Sequence, residues 1–326
     1  MQSIERRTLL AASAASIGAT APATAAEAIV FTEYWAAKQR DGAEIRLAMY
    51  RKRIGEAARP VLFMVHGSSN SARSSFDLAV PGRAEYSMMD AFARYGFDVW
   101  TMDHEGYGKS ARTDGNSDIA SGVEDLKAAM TVVAHETGQT RCHFLGESSG
   151  ALRAAAFAIA APEQADRLVL AAHTYTGKGS PTLAKRAEQA EYYRTHNTRL
   201  RDRAMIESIF TRDKPGTTDP EVPKALADAE LVFGDQVPTG TYLDMTTHLP
   251  VVDPTKIRSP VLVVRGEFDG IATMEDLWDF YRLLPTGDKQ FSVIAGAAHA
   301  LATCKSRHAF WYVSQAFLTI PEPPAT

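Results

Sequence analysis

Cysteine is scarce. The 326 residues include only Cys142 and Cys304, too few for a disulfide framework. An oxidising compartment would permit one bond between them. Cys142 is expected to open a core strand and Cys304 to follow a loop at the opposite edge of the sheet, so two free thiols are the expectation. An excess of one charge is also lacking. A net charge of −4 and a pI near 6.2 provide no basic face for nucleic acid. No apolar run approaches the roughly 20 residues of a membrane-spanning helix. Internal repeats, low-complexity tracts and long blocks of like charge are missing too. What remains, 45% hydrophobic and 23% charged, is the composition of an ordinary globular protein. The length suits one large α/β domain with an insertion, or two modest domains.

The first 26 residues differ from the rest. Arg6-Arg7 precedes a weakly apolar stretch, and Ala23-Thr24-Ala25-Ala26 follows it. A basic start, a moderate apolar core and a small-residue cleavage site predict a signal peptide over 1–26. The paired arginines are similar to the twin-arginine export class and imply a periplasmic or secreted product. Glu5 departs from that pattern, since Ser or Thr is usual there. An uncleaved N-terminus or a mitochondrial-type presequence is the competing reading.

From residue 31 strands and helices alternate. Two opening strands, 31–36 and 44–51, flank the turn Asp41-Gly42. The continuous apolar run 61–65 predicts a strand buried on both faces, and 97–102 is the next. Ile119, Val123, Leu126, Met130 and Val133 lie on one helical face. A strand over 141–145, a helix over 151–161 and a strand over 168–172 follow. The rhythm breaks at Thr176-Gly177 and resumes at Pro260, with a strand at 261–264, a helix near 273–284, a strand at 290–295 and a helix near 306–318. Such alternation predicts an α/β fold with a mostly parallel sheet flanked by helices. The core is expected over 27–176 and 251–320, with a helical cap, charged but balanced in sign and without a clear strand, over 177–250. Residues 321–326 read as a frayed tail.

Gly146-Glu147-Ser148-Ser149-Gly150 sits between the 141–145 strand and the 151–161 helix. Strand, sharp turn and helix form the setting of a nucleophile elbow. A serine hydroxyl is a poor nucleophile at neutral pH and needs a base, itself held by a third group. Asp269 follows the 261–264 strand and His299 follows the 290–295 strand, so both belong at the sheet edge where ligands bind. Glu267 is the alternative carboxylate, and Asp269 could instead cap the next helix. Acyl transfer also needs fixed donors for an oxyanion. The Ser149 N–H and, from the loop after 61–65, the Ser68 N–H are the candidates. His66 is expected to bond loop backbone groups rather than act as a base.

His66-Gly67, the run Asp103-His104-Glu105-Gly106-Tyr107-Gly108-Lys109-Ser110, the elbow, Asp269 and His299 together resemble the α/β-hydrolase superfamily over about residues 30–318. The similarity is to capped members such as bacterial carboxylesterases and lipases, epoxide hydrolases and haloalkane dehalogenases. The resemblance implies Ser148 as nucleophile, Asp269 as acid, His299 as base, and Ser68 and Ser149 as oxyanion donors. It also implies that the 103–110 run is a structural turn. Glu105 stands where many relatives have Arg. A serine nucleophile, rather than aspartate, removes the epoxide-hydrolase and dehalogenase readings. The charged cap differs from a lipase lid, and His-Gly-Gly-Gly is missing at 66–69.

The expected function is cleavage of a small or medium carboxylic ester through an acyl-enzyme. An amidase or proline-iminopeptidase-like peptidase is the alternative, with Glu188, Glu191 or Glu207 binding the substrate amine. A catalytically silent binding protein is the non-enzymatic one. Tyr192, Tyr193, His196 and Arg199, with Phe210, Phe233, Tyr242 and Met245, are candidate pocket liners. No metal or organic cofactor is expected, because no ligand cluster or nucleotide loop occurs. The expected partner is a small-molecule ester, with no nucleic acid and no membrane span.

Overall fold

The computed structural model describes residues 28–321; the expected signal segment at 1–26 and residues 322–326 of the expected tail lie outside the described residues. The chain opens with a hairpin, β1 (Ile29–Arg40) and β2 (Ala43–Ile54). Asp41 and Gly42 both take positive φ, 53° and 79°, the mirror-image turn that matches strand twist and suits Asp-Gly. Then come β3 (Val61–Val65), α1 (Ala72–Phe76), α2 (Met88–Arg94), β4 (Asp98–Met102) and α3 (Ile119–Thr137). The elbow joins β5 (Cys142–Glu147) to α4 (Ser149–Ala160), and β6 (Ala165–Ala171) follows. An insertion holds α5 (Pro181–Ala187), α6 (Ala190–Thr195), β7 (Thr198–Leu200), α7 (Arg203–Ser208), α8 (Glu221–Leu231), β8 (Gln236–Pro238) and α9 (Gly240–Thr247). The chain closes through β9 (Val261–Gly266), α10 (Met274–Leu283), β10 (Lys289–Ile294) and α11 (Arg307–Leu318).

Eight strands form one sheet in the order β1-β2-β4-β3-β5-β6-β9-β10. β2 runs antiparallel to β1 and β4, and every later pair is parallel. Every residue of β3, β4 and β9 is buried. The continuous apolar runs of β3 and of 261–264 in β9 follow from the covering of both sheet faces. One core layer packs Phe63, Trp100 and Phe144 against α3 and α4; the other packs Met64, Val99 and Leu262 against α2 and α11. Burying each such side chain contributes about 1.5–3 kcal/mol.

The long, periodic elements fall where the sequence places them. α1 and α2 are not anticipated, since five and seven residues are too few for a helical stripe. The insertion also contains a small ribbon, β7 with β8, where no strand is expected. Strands of three residues carry no readable alternation. The insertion has its own apolar cluster, in which Ile206, Phe210, Val222 and Leu226 meet Leu78, Val80 and Tyr86.

A single carboxylate organises the exit from β6 into the insertion. Asp276, near the start of α10, accepts from Thr174 Oγ1 (2.9 Å), Tyr175 N (2.7 Å), Thr176 N (2.8 Å) and Gly177 N (3.1 Å). Burial opposes its charge, but these donors hold its pKa below the ordinary value.

The 103–110 run forms a tight turn around Asp103. Its carboxylate accepts from Lys109 N (2.9 Å), Ala72 N (2.8 Å) and the Tyr50 hydroxyl (2.7 Å). The unusual Glu105 is buried and ion-paired to Lys38 (2.8 Å) and Arg40 (2.7 Å), while Lys38 also reaches Asp125 at 2.6 Å. Both cysteines are free and buried. Burial pushes each thiol up to about 12, which suppresses thiolate chemistry.

Candidate active site

β5 ends by delivering Ser148 into a sharp turn with φ 59° and ψ −128°, a conformation that a non-glycine residue adopts only when its surroundings enforce it. The flanking glycines make the turn feasible. A Cβ on Gly146 would come within 2.5 Å of Ala151 Cα, and one on Gly150 within 2.6 Å of His66 O. Larger residues at either position would push α4 off the end of the sheet.

Ser148 Oγ lies 3.0 Å from His299 Nε2. His299 Nδ1 lies 3.0 Å from each carboxylate oxygen of Asp269. Asp269 is in turn fixed by the N–H groups of Ile271 (2.8 Å) and Ala272 (3.0 Å). Burial would raise its pKa, yet His299 and these backbone donors lower it, so the carboxylate stays charged beside the imidazole. The three residues come from loops after β5, β9 and β10. Glu267, the alternative carboxylate, instead accepts from Gly296 N at 2.8 Å. It braces the turn before His299 from the other side.

The loop after β3 passes beside the nucleophile, with Gly67 packed against Ser148. Among the described residues, neither the Ser68 N–H nor the Ser149 N–H has an acceptor. Ser68 Oγ is 2.9 Å from Ser149 Oγ and 2.7 Å from Thr241 Oγ1. Ser69 takes φ 78°, and its side chain bonds the Tyr242 hydroxyl while its carbonyl accepts from Arg201. Glu230 accepts from Ser71 N (2.6 Å) and Ser71 Oγ (2.7 Å) and pairs with Arg201. The insertion therefore anchors this loop by four side chains, none of which the sequence singled out for that role. His66 bonds backbone groups, Gly67 O at 2.8 Å and His104 N at 3.0 Å.

Ser148 and His299 line a cavity of about 60 Å³. Its roof is Arg186, Ile209, Phe210, Arg212 and Leu226. Of the candidate liners, only Phe210 is among them. Tyr192 and His196 are exposed and stack on each other at 4.1 Å. Tyr193 is buried against Tyr242, and Arg199 sits over the Tyr242 ring at 4.8 Å. These four face the insertion's own surface or interior, because α6 and β7 pack on α9 rather than over the elbow. Phe233 lines a different hollow near Tyr50, and Met245 another beside Leu249. Arg186 and Arg212 carried no motif by which they could be found. Among the described residues, no group of three or more His, Cys, Asp or Glu is arranged to hold a metal ion, and no helix is long and apolar enough to cross a membrane.

Residues 57–303 match the family described as serine aminopeptidase, S33. A 2-hydroxy-6-oxononadienedioate/2-hydroxy-6-oxononatrienedioate hydrolase from Paraburkholderia phymatum is 32% identical over 236 residues, covering 67% of this chain and 74% of that one. The fold is similar to that of a thermophilic esterase from Thermogutta terrifontis, with TM-score 0.63, 18% identity, and coverage of 88% of this chain and 98% of that one. It is also similar to an enol-lactonase from Burkholderia xenovorans, with TM-score 0.63, 17% identity, and coverage of 87% and 100% respectively.

Proposed function

The chain belongs to the serine aminopeptidase S33 family of α/β-hydrolases, and from that premise we propose that it hydrolyses a small carboxylic ester through an acyl-enzyme on Ser148. The observation that carries this reading is the unbroken relay from Ser148 Oγ through His299 to Asp269, each link 3.0 Å long.

In the first step Ser148 Oγ bonds to the ester carbon while its proton passes to His299 Nε2. The carbonyl oxygen becomes an oxyanion held by the Ser68 and Ser149 N–H groups, donors commonly worth about 3–4 kcal/mol each. Collapse breaks the carbon–oxygen bond to the alcohol, which leaves with the proton from His299. Water then repeats the sequence on the acyl-enzyme and releases the acid. Asp269 keeps Nδ1 protonated and the ring aimed at Ser148.

The peptidase alternative needs an acid to bind a substrate amine. Glu188, Glu191 and Glu207 are absent from the cavity lining, and Glu191 and Glu207 pair with Arg194 and Arg203. An ammonium group would instead meet Arg186 and Arg212 in the roof, while the acid of the lining, Glu147, is committed to the Leu301 N–H beside the elbow. This charge balance favours esters over aminopeptide substrates. The twin-arginine-like segment supports export to the periplasm, tested by fractionation: Arg6→Lys with Arg7→Lys should retain the protein in the cytoplasm.

The test of the activity is direct. A fluorophosphonate should label Ser148 alone, and Ser148→Ala should abolish hydrolysis of short methyl esters while circular dichroism is unchanged. Near-normal turnover by that variant would remove the assignment.

A further inference from the structure

The cavity roof holds more positive charge than its surroundings neutralise. The Arg186 guanidinium has no carboxylate and no hydrogen-bond acceptor among the described residues, and its Nη1 is buried without a partner. It rests only on the Tyr242 ring, 5.0 Å away. Arg212 has one ion-pair partner, Asp213 at 3.4 Å, yet its Nε and Nη2 are buried without an acceptor. Asp213 Oδ1 also sits 3.4 Å from Thr182 Oγ1. Of the two guanidinium groups, only Arg212 therefore has a carboxylate partner.

Burial of an unpaired cation is costly unless a counter-charge arrives. The consequences register on neighbours. Burial and the nearby Arg212 charge lower the pKa of Arg186 to about 10, which still leaves it cationic at neutral pH. Burial alone would raise Tyr242, but Arg199 and Arg186 overcome it and lower its pKa. On the floor, Ser148 and His299 line the same space of about 60 Å³. A ligand seated on Ser148 in so narrow a space must touch the roof.

We propose that Arg186 and Arg212 form a carboxylate subsite facing Ser148, so that the ester hydrolysed here is a half-ester of a short dicarboxylic acid. This inference rests on the ester-hydrolase reading and goes beyond it by naming the substrate class. A planar carboxylate satisfies the guanidinium hydrogens left without acceptors and neutralises the second charge. Hydrolysis converts the half-ester and water into an alcohol and the dicarboxylate, with one proton released at neutral pH. The product carries a second negative charge at the elbow, away from the roof.

Monomethyl glutarate and methyl butyrate differ by one carboxylate and test the subsite. The wild type should show a kcat/KM at least about tenfold higher for the half-ester. Arg186→Gln and Arg212→Gln should each collapse that ratio by about tenfold, chiefly through KM for the half-ester, and Arg186→Lys should restore part of it. Independently of any variant, glutarate should slow fluorophosphonate labelling of Ser148, while uncharged glutaramide should not. A wild type that favours methyl butyrate, a ratio unmoved by both Gln variants, or labelling indifferent to glutarate overturns the subsite. Those results leave the hydrolase reading standing, provided Ser148 is labelled and methyl butyrate is consumed. An unlabelled Ser148 with neither ester consumed overturns both.

Discussion

Glu147 accepts a 2.8 Å hydrogen bond from the Leu301 N–H, so the residue before the nucleophile holds the loop that carries His299. Burial pushes this carboxyl up to about 7 from an ordinary 4.5, against the lowering by His299 and by the Leu301 and Ala302 N–H groups. Folding therefore binds a proton that the unfolded chain would release between those two values. Stability contributed by the neutral form is therefore present below about pH 4.5 and lost as pH rises through about 7, a change on the order of 3 kcal/mol. Glu147→Gln keeps an acceptor for Leu301 without the buried charge. Its melting temperature should exceed that of the wild type at pH 8, and the gain should shrink by pH 5. A constant difference across this range would exclude Glu147 as the titrating group.

Asp269→Asn should leave the loop folded, since an amide oxygen can still accept from Ile271 and Ala272. The imidazole would lose the charged partner that selects its tautomer. A kcat loss on the order of 10⁴-fold is expected for such a change, measured with methyl butyrate. A loss below about tenfold would mean that another acid supports His299.

Tyr242→Phe removes the hydroxyl that bonds Ser69 but keeps the ring beneath Arg186. The loop bearing the Ser68 N–H then loses one of its anchors in the insertion. Loss of one hydrogen bond, about 1 kcal/mol, translates into a roughly fivefold lower kcat. Steady-state kinetics with KM little changed would fit loosening of the oxyanion donors; unaltered kcat would show that Arg201 and Thr241 suffice.

Lys38→Met should destabilise the fold by about 3–5 kcal/mol, because Glu105 and Asp125 would lose a shared cation in the interior. Burial opposes the charge of Glu105, but Lys38, Thr113 and Arg40 hold its pKa below the ordinary value. Stability from such a lowered carboxyl exists above its unfolded pKa and is lost as pH falls through the folded one. Chemical denaturation should therefore show the penalty at pH 7 and a smaller one in acid. Equal penalties at both pH values would argue against an electrostatic origin.

Much of the core was readable from the chain. The runs at β3 and at 261–264 of β9 are apolar because both faces of a parallel sheet are covered, and α3 shows its stripe over 19 residues. The elbow was legible because only small residues fit its close approaches, and Asp269 and His299 each follow a recognisable strand. The choice between Asp269 and Glu267 was less so. Both carboxylates lie in one short loop, and only the loop's path turns Asp269 toward the imidazole and Glu267 toward Gly296.

Local order along the chain determined the strands, the elbow and the residues able to form a relay, since these depend on short-range periodicity and tight backbone sterics. Tertiary structure alone decided which insertion side chains look down on Ser148. Tyr192, Tyr193, His196 and Arg199 turned away, while Arg186 and Arg212 turned in. The helices of the insertion are only six to eleven residues long, and the orientation of α7 and α8 is set by packing on the segment around Leu78 and Tyr86. Those contacts join positions more than a hundred residues apart, and no local pattern encodes which face of a short helix such packing will bury.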